Sequence, residues 1–525
     1  MTIAVVRSQA PTPPPPPWLS RRQAVAWAAA VVVCFHLAYV FAPLAGLMAV
    51  AMFGLYRLAY LRSSRVALYG GIAMGLVMYG PHLWWFWPQP PMFGPAAVLL
   101  WTAMGVPLAM YLLASRWALA TLPRRLTPWL IPFFWTGVEF FRCELNPLKF
   151  AWLMPAWAFD GCAAVLPLRF CGAYGLAFVF MLAVAVLMQL SRRWSLPLGA
   201  AGLLTLGVLT NLPRDAGVSP ALCVPLTKPS KNAKSSSPDA GKMPAGREGE
   251  TPSTHPLIVC VQMEDEGLYE ILAACDRAIE QWPDADIIAF SEYALEDPPP
   301  RKLLEWCRDH GRYVILGGRE SIPERPSDAG GTPSPRGEFY NMAYVVGPGG
   351  IEHRQAKSVP VQFFRDGLPA PSRSVWASPW GPVGVCICYD MSYAIVVDDF
   401  VRQGARLLVV PTMDRIEWSE SMHRLHARVT PVRAAEYGLP IVRPCSSGIS
   451  QIVLADGTPV ATLGFPGQGE MMAARIPLDN PPPTLPPDRY LAPAATAVTV
   501  LSVVAAGFAG LARRWRRWCN ATSTS

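Results

Sequence analysis

The chain has 525 residues, of which 52% are hydrophobic and only 16% are charged, and its formal net charge is +8. A chain of this length allows two to four structural units, and its apolar excess favours a membrane protein over one compact soluble domain. The positive charges lie beside apolar segments and form no basic patch interleaved with aromatic residues, which argues against a nucleic-acid partner.

Apolar segments alternate with arginine pairs in the first part of the chain. Residues 1–20 are proline-rich and are followed by Arg21 and Arg22 without a cleavage-like site, so we predict a cytoplasmic N-terminus and a retained anchor. Residues 24–61 would form a helix of roughly 57 Å against a hydrocarbon core of about 30 Å, so two crossings separated at Pro43 are expected. The apolar segments that follow are 66–86, 95–121, 127–145, 166–190 and 196–212.

These segments predict a membrane domain over residues 21–212 with about seven transmembrane helices. An eighth span is predicted at 490–511, followed by a basic tail at 512–525. Arginine clusters occur at alternate ends of the spans, so the positive-inside rule puts both termini in the cytoplasm. We therefore expect a multi-pass protein of the cytoplasmic (inner) membrane, with the region between spans seven and eight on the outer side.

That outer region divides into a linker and an α/β domain. Residues 213–255 are rich in Lys, Ser, Pro and Gly, lack hydrophobic periodicity and are predicted to form a flexible tether. Residues 256–489 alternate short apolar runs, such as "ADIIAFSE" and "VGVCICYD", with helix-like segments. The predicted fold is thus a multi-span α-helical membrane domain plus an extracytoplasmic α/β domain.

Cys386 and Cys388 lie one residue apart in "GVCICYD", and therefore on the same face of a predicted strand. Cys388 is at the exit of the strand, where nearby backbone amides can favour its thiolate, whereas Cys386 lies one pleat deeper and suits inert packing. Cys388 is therefore the candidate nucleophile. The twelve cysteines form no CxxC pair, so neither a disulfide framework nor a zinc site is indicated.

Two further residues complete a candidate catalytic set. Glu292 ends the apolar run "IIAFSE", and strand ends are where the active sites of α/β folds gather. Residues 256–489 contain nineteen arginines but only two lysines, Lys302 and Lys357. Lys302 suits a surface helix, whereas Lys357 is a titratable cation in a region that otherwise uses arginine, which does not give up its proton.

A Glu, a Lys and a Cys in this order, each at a strand end, resemble the nitrilase superfamily. The matching motifs are "FSE", "YNMAYVVGPGG" and "GVCICYD", and "RAAEYGLPIVRPCSSGIS" resembles the segment that follows. With its flanking spans, and with "WTGVEFFR" and "CGAYGLAFV" in the membrane half, the chain resembles the apolipoprotein N-acyltransferase family over nearly its full length. The resemblance implies an αββα sandwich for residues 256–489.

The resemblance also implies an acyltransferase with a Glu292–Lys357–Cys388 triad and with no metal or other cofactor. Cys388 would take an acyl chain from a phospholipid as a thioester. The acceptor would be the α-amine of the diacylglyceryl-cysteine of an apolipoprotein. A phospholipid donor, a diacylglyceryl apolipoprotein and the membrane are thus the expected partners.

The lysine region departs from the family's pattern. Counted back from the "VP" of "KSVPVQFF", the family's lysine position holds Gln355, and Lys357 follows two residues later. Either Lys357 fills the role, or the register differs, or the enzyme is weakened. The acidic residue that family members carry after "VPFG" is missing, and Asp366 is the candidate replacement. Gln355, Asp366 and Glu436 are the possible additional pocket residues.

Aromatic residues are frequent around the lysine and cysteine strands. The candidate substrate-binding residues are Phe363, Phe364, Trp376, Trp380, Tyr389 and Trp418. Phenylalanine and tryptophan favour the boundary between lipid headgroups and acyl chains. Residues 361–380 are therefore predicted to form a mobile arm that passes over the catalytic mouth and admits an acyl chain.

Several residues keep simpler interpretations. His423 and His426 are spaced i and i+3 without a third ligand, so surface or packing roles are expected, and a Cys–His hydrolase ranks below the Glu–Lys–Cys arrangement. Glu139 and Arg142 are one helical turn apart and are expected to pair locally. For the whole chain, the alternatives are a membrane-tethered nitrilase-family amidase or hydrolase and a non-catalytic membrane assembly protein.

Overall fold

The computed structural model describes residues 18–88, 94–211, 223–225, 255–264, 267–322, 337–362, 364–467 and 469–522. Most of the predicted N-terminal tail and most of the predicted tether lie outside the described residues, as does Phe363. Within the predicted tether, the described segment Cys223–Pro225 forms a short strand at the edge of a sheet.

The described residues form thirteen α-helices. In chain order they are α1 (Arg21–Val40), α2 (Leu47–Leu58), α3 (Ser64–Tyr79), α4 (Pro95–Thr121), α5 (Thr127–Phe140), α6 (Leu168–Gln189), α7 (Arg192–Thr210), α8 (Leu268–Gln281), α9 (Arg301–His310), α10 (Ala394–Arg402), α11 (Glu420–Ala427), α12 (Val429–Tyr437) and α13 (Asp488–Thr522). Helices α1 to α7 and α13 fall in the eight predicted apolar segments.

Five helical stretches of the described chain are long and apolar enough to cross a membrane: α1, α3 with its continuation to Phe86, α4, α6 and the first part of α13. The chain breaks after α1 at the short turn Ala42–Leu44, where Pro43 was expected to separate two segments. Helix α2 has 12 residues, about 18 Å, which falls short of a hydrocarbon core of about 30 Å. Seven crossings before the tether therefore stay a prediction.

Helices α3 and α4 approach each other closely because small residues meet at their contact. A Cβ atom on Gly75 would lie 2.2 Å from the Cα of Gly105, and one on Gly71 would lie 2.5 Å from the Cα of Ala109. Lipid tails are as apolar as leucine, so helices in a membrane associate through such close van der Waals packing. This contact positions the loop after α3, which forms one wall of the cavity described below.

The strands form two sheets. In chain order they are β1 (Cys223–Pro225), β2 (Leu257–Val261), β3 (Ile287–Ala289), β4 (Tyr313–Ser321), β5 (Phe339–Gly347), β6 (Gly350–Ala356), β7 (Val375–Ser378), β8 (Gly381–Val385), β9 (Leu407–Val409), β10 (Ile441–Arg443), β11 (Ser450–Val453), β12 (Pro459–Leu463) and β13 (Glu470–Arg475). The order is β1-β13-β2-β3-β4-β5-β6 in one sheet and β12-β11-β10-β9-β8-β7 in the other. Strands β2 to β4, and likewise β8 to β10, run parallel to one another.

Alternate residues of the inner strands belong to two apolar layers. On β2, Ile258 and Cys260 pack in the core that also contains Val383 of the second sheet, whereas Val259 packs in a separate core with Ile271 of α8. Both faces of these strands are covered, so their sequences are apolar throughout instead of alternating. The two-sheet α/β domain predicted from the sequence is confirmed.

A buried ion cluster joins this domain to the helices. Arg489, at the start of α13, donates to Asp398 at 2.7 Å and to Glu436 at 2.9 Å. Glu436 also pairs with Arg433 and accepts a hydrogen bond from the backbone N–H of Ala173 in α6 at 3.0 Å. Glu436 therefore belongs to the junction between the two halves of the chain, which corrects its prediction as a pocket residue.

The α3–α4 contact yields a stability prediction. Gly75→Ala should lower the free energy of unfolding in detergent by about 1–3 kcal/mol, because the added methyl group overpacks the contact with Gly105. Gly70→Ala, on the same helix, is the control, since a Cβ there meets nothing within 4 Å. It should be neutral or stabilise by up to about 1 kcal/mol through helix propensity. Equal effects of the two substitutions on thermal unfolding would contradict the packing argument.

Candidate active site

The two sheets bring three polar side chains together at strand ends. Glu292 follows β3, Lys357 follows β6 and Cys388 follows β8, and all three are buried. Cys388 has a φ of 55° and begins the short turn Cys388–Ser392. A non-glycine residue in this left-handed region is uncommon and costs energy, and such residues cluster at functional sites. Cys386, by contrast, directly follows the last residue of β8, is fully buried and donates its N–H to the carbonyl of Val409.

The ammonium group of Lys357 lies between two carboxylates. Its Nζ is 2.9 Å from Oε1 of Glu292 and 2.6 Å from Oδ2 of Asp366. Asn341 bridges the same carboxylates, since its Nδ2 donates to Glu292 Oε1 at 2.6 Å and to Asp366 Oδ1 at 2.9 Å. The backbone N–H of Met413 donates to Glu292 Oε2 at 2.9 Å. Among the residues that the structure describes, the lysine therefore has one N–H left for a further acceptor.

These contacts set the charge of the site. Burial disfavours the charged ammonium, but Asp366 and Glu292 outweigh it, so the pKa of Lys357 lies well above its ordinary value. Burial, reinforced by the charge of Glu292, raises the pKa of the Cys388 thiol well above its ordinary value, and Lys357 opposes this shift. The thiol is therefore protonated at rest and needs a base beside it to become a nucleophile.

Asp390 ties the cysteine turn to the lysine loop. Its carboxylate accepts the backbone N–H groups of Ser358 at 2.8 Å, Val359 at 2.7 Å and Ile387 at 3.3 Å. Burial raises the pKa of Asp390 to about 6, although these hydrogen bonds act in the opposite direction. The aspartate of the "CYD" motif thus fixes the position of Lys357 relative to Cys388.

Glu292, Lys357 and Cys388 line a cavity of about 240 Å³ to which both halves of the chain contribute. The helical half contributes Trp85, Phe86, Leu100, Leu148, Phe150 and Trp152. Two hydrogen bonds shape this wall: Arg142 holds the carbonyl of Trp152 at 2.8 Å, and the N–H of Ala151 donates to the Tyr389 hydroxyl at 2.9 Å. Arg142 therefore orders the loop after α5.

The aromatic predictions divide into two groups. Phe364, Tyr389 and Trp418 line the cavity, and Trp418 packs against Trp85 with ring centroids 6.0 Å apart. Trp376 and Trp380 do not line it and contact the ring of Tyr313, at centroid distances of 5.1 and 5.4 Å. Their prediction as substrate-binding residues is corrected, and of the predicted arm only the part near Phe364 borders the cavity.

The structure separates the two candidates for the lysine position. Gln355 is buried but turned away from the catalytic side chains, because it bonds to the carbonyl of Ser372 at 3.1 Å and accepts the N–H of Ser374 at 3.0 Å. Its prediction as a pocket residue is therefore corrected. Asp366 lies in the site beside Lys357, where it was proposed as a replacement carboxylate.

Two residues of the site were missed at the sequence level. Asn341 stands in the quoted motif "YNMAYVVGPGG", but nothing in the motif indicated that its amide would join two carboxylates. His426 was expected at the surface or in packing, yet it is buried, lines the cavity and bonds through Nδ1 to Asp414 at 2.8 Å. His423 has the expected packing role, stacked on Phe465 with ring centroids 4.2 Å apart.

Comparison with known proteins gives a family match for the α/β domain. Residues 261–480 match the carbon–nitrogen hydrolase family model, so this part of the chain is a domain of the nitrilase superfamily, whose members are enzymes. Among solved structures, the chain is similar to a carbon–nitrogen hydrolase from Helicobacter pylori G27, with 16% identity and a TM-score of 0.35. The match covers 43% of this chain and 90% of that one.

Curated relatives match shorter stretches. An omega-amidase of Xenopus laevis is 35% identical over 135 residues, which is 23% of this chain and 45% of the relative. The apolipoprotein N-acyltransferase of Bdellovibrio bacteriovorus is 26% identical over 212 residues, which is 34% of this chain and 38% of the relative. The chain thus matches less than half the length of these curated relatives.

The lysine assignment yields a prediction on thiol reactivity. Lys357→Met should slow the alkylation of Cys388 by iodoacetamide at pH 7 by about tenfold or more, because the thiol loses the cation that lowers its pKa. Gln355→Met, two residues earlier, is the matched control and should leave the rate within about threefold. Peptide mass spectrometry after timed labelling measures both rates. A larger loss in the glutamine variant would reverse the assignment.

Proposed function

We propose that the chain is a membrane-bound acyltransferase that N-acylates the α-amine of diacylglyceryl-cysteine in apolipoproteins, with a phospholipid as acyl donor. The observation that carries this proposal is the composition of the cavity. Cys388, Glu292 and Lys357 share the cavity with a wall of aromatic and aliphatic side chains, of which Trp85, Phe86 and Leu100 belong to helical stretches apolar enough to cross a membrane. A soluble polar substrate gains little from such a wall, whereas an acyl chain is buried by it.

In the first half-reaction, Glu292 takes the proton from the Cys388 thiol. The thiolate sulfur bonds to the ester carbonyl carbon of the phospholipid, and the free N–H of Lys357 and backbone amides after Cys388 stabilise the resulting oxyanion. The ester C–O bond then breaks, and Glu292 returns its proton to the leaving alkoxide. The products are a Cys388 thioester and a lysophospholipid.

In the second half-reaction, the acceptor amine attacks the thioester carbon. The C–S bond breaks, an amide forms, and one proton from the nitrogen returns to the sulfur of Cys388. A thioester suits this exchange because it reacts readily with amines, and an apolar cavity limits its loss to water. The thiol is then ready for another donor.

Two arginines support a phospholipid donor. Arg319 and Arg365 line the cavity and are exposed, so they lie where its contents meet solvent. Guanidinium groups bind phosphate through paired N–H donors. With an acyl chain against Trp85, Phe86 and Phe364, the headgroup phosphate could pair with these arginines.

The second candidate function is a membrane-tethered amidase or hydrolase that uses the same triad. Its support is the similarity to omega-amidases, and the exposed arginines could equally bind a small amide that carries a carboxylate. The non-catalytic alternative has less support. Gln355 at the family's lysine position would favour it, but Lys357 supplies the ammonium group beside Glu292 that Gln355 lacks.

Incubation with phospholipid tests the proposed function. The purified protein in detergent, mixed with phosphatidylethanolamine, should gain one acyl group on Cys388 by peptide mass spectrometry, because the thioester forms before any acceptor arrives. A diacylglyceryl-cysteine peptide added afterwards should discharge the adduct and become N-acylated.

Two cysteine variants control the experiment. Cys388→Ser should lose the adduct, whereas Cys386→Ser, at a buried residue just after β8, should keep it. Lack of an adduct, together with rapid hydrolysis of small amides, would favour the amidase instead. Equal loss in both variants would indicate a structural role for the two thiols.

The proposed location of the catalytic domain has its own test. We propose that this domain lies outside the cytoplasmic membrane, on the basis of the alternating arginine clusters. A cysteine introduced as Arg301→Cys, at a side chain that is 91% exposed, should react in intact cells with a membrane-impermeant maleimide. The unsubstituted chain is the background control. Labelling that requires cell lysis would refute this topology.

A further inference from the structure

A second acid–base group lies beside Cys388, apart from Glu292 and Lys357. A ring nitrogen of His426, a carboxylate oxygen of Asp414 and the sulfur of Cys388 all lie within 4.8 Å of one another, and all three residues are buried. His426 projects from α11 and lines the same cavity. Trp152 of the helical half packs against its ring, at a centroid distance of 5.4 Å.

The hydrogen bonds define the tautomer of His426. Its Nδ1 is 2.8 Å from Oδ1 of Asp414, and Arg443 donates to the other oxygen of that carboxylate at 2.6 Å. Burial works against ionisation of Asp414, but His426 and Arg443 outweigh it and lower its pKa, so the carboxylate is charged. A charged carboxylate accepts, so Nδ1 carries the proton and Nε2 of the neutral imidazole has a lone pair.

The second nitrogen is available for chemistry. Among the described residues, Nε2 of His426 is buried and has no hydrogen-bond partner. Burial lowers the pKa of His426, which keeps its imidazole neutral near pH 7. Glu292, in contrast, already accepts hydrogen bonds from Lys357, Asn341 and the backbone of Met413. The site thus has two proton acceptors with different surroundings.

We propose that His426 is the general base for the incoming amine in the second half-reaction, with Asp414 as its positioning residue. This inference rests on the proposed function and divides its proton transfers between two groups. Glu292 serves the thiol and the leaving alkoxide, and His426 serves the acceptor.

The division has a chemical reason. An α-amine has a pKa of about 8, so it arrives mostly as an ammonium ion at neutral pH and must lose a proton before it can attack. His426 Nε2 takes that proton, and the amine nitrogen bonds to the thioester carbon. The C–S bond then breaks, and the second proton on nitrogen passes to the Cys388 sulfur. His426 finally releases its proton to water, so one amide, one thiol and one proton result.

Cys388, Asp414 and His426 are also close enough together to be ligands of one metal ion. However, both oxygens of Asp414 are already engaged, by His426 and by Arg443. Coordination by this carboxylate would have to compete with a buried guanidinium ion. The contacts therefore favour His426 as a base that Asp414 positions, and they argue against a metal site at these three residues.

Separate measurement of acyl loading and discharge tests the inference. p-Nitrophenyl palmitate should acylate Cys388 with release of p-nitrophenolate, so that loading requires no phospholipid. The loaded protein is then mixed at pH 7 with glycinamide, which is mostly protonated, or with hydroxylamine, which is mostly neutral. His426→Gln should load at a rate within about threefold of the unsubstituted protein. Its discharge by glycinamide should slow by about tenfold, because only about a tenth of an amine with a pKa near 8 is neutral at pH 7, while its discharge by hydroxylamine should not change.

Two further variants support the interpretation. Arg424→Gln, on the same helix but with a side chain that is 66% exposed and outside the cavity lining, should leave both discharge rates unchanged. Asp414→Asn should also slow discharge by glycinamide but not discharge by hydroxylamine. The asparagine amide would donate to Nδ1 of His426, which would shift the imidazole proton to Nε2. A distorted site would lower the rates of discharge by both nucleophiles. The rate with hydroxylamine therefore distinguishes a chemical role of His426 from a structural one.

Several results would overturn the inference. One is an equal decrease in the rates of discharge by glycinamide and by hydroxylamine in His426→Gln. Another is no decrease in either rate. A selective loss of acyl loading would assign His426 to the thiol instead of the amine. Because the aryl ester loads Cys388 directly, a negative result with phospholipid would refute the proposed donor and leave this test intact.

Discussion

The buried charge of Lys357 is the interaction on which the rest of the site depends. An ammonium ion that is 1% exposed is stable only beside opposite charges, and Glu292 and Asp366 supply them. Two carboxylates against one cation leave a negative excess, and Asn341 offsets part of it by donating to both. No member of this set can be removed alone without leaving a buried charge or donor unpaired. The strands that carry these residues must therefore keep a fixed register.

The same requirement extends to the helical half of the chain. Tyr389, next to the nucleophile, accepts a hydrogen bond from Ala151, and the hydroxyl of Tyr393 donates to the carbonyl of Lys149. The loop after α5 is thus attached to the cysteine turn on one side and to Arg142 on the other. The active site is consequently assembled between the two halves, and a separated α/β domain would lack one wall of its cavity.

Local patterns predicted the parts of this structure that depend on local chemistry. The long apolar segments predicted the helices, and positions at strand ends predicted Glu292 and Cys388 as site residues. Both signals come from residues that are neighbours in the sequence. Aromatic content alone could not distinguish Trp376, which packs in a core, from Trp418, which lines the cavity. The ion pair between Glu436 and Arg489 could not be found either, since the two residues are 53 positions apart along the chain.

In the proposed reaction, acylation of Cys388 and transfer of the acyl group to the amine use different bases because water is kept out of the cavity. A thioester in an open site would be hydrolysed, so the cavity must be apolar where the acyl chain lies, and the wall of Trp85, Phe86 and Phe150 meets that need. Water exclusion has a cost, because an incoming ammonium ion has little solvent beside the thioester to take its proton. A neutral imidazole held by a carboxylate provides an acceptor at that position. In the proposed reaction, the apolar wall that would protect the thioester therefore also gives a reason for a second internal base.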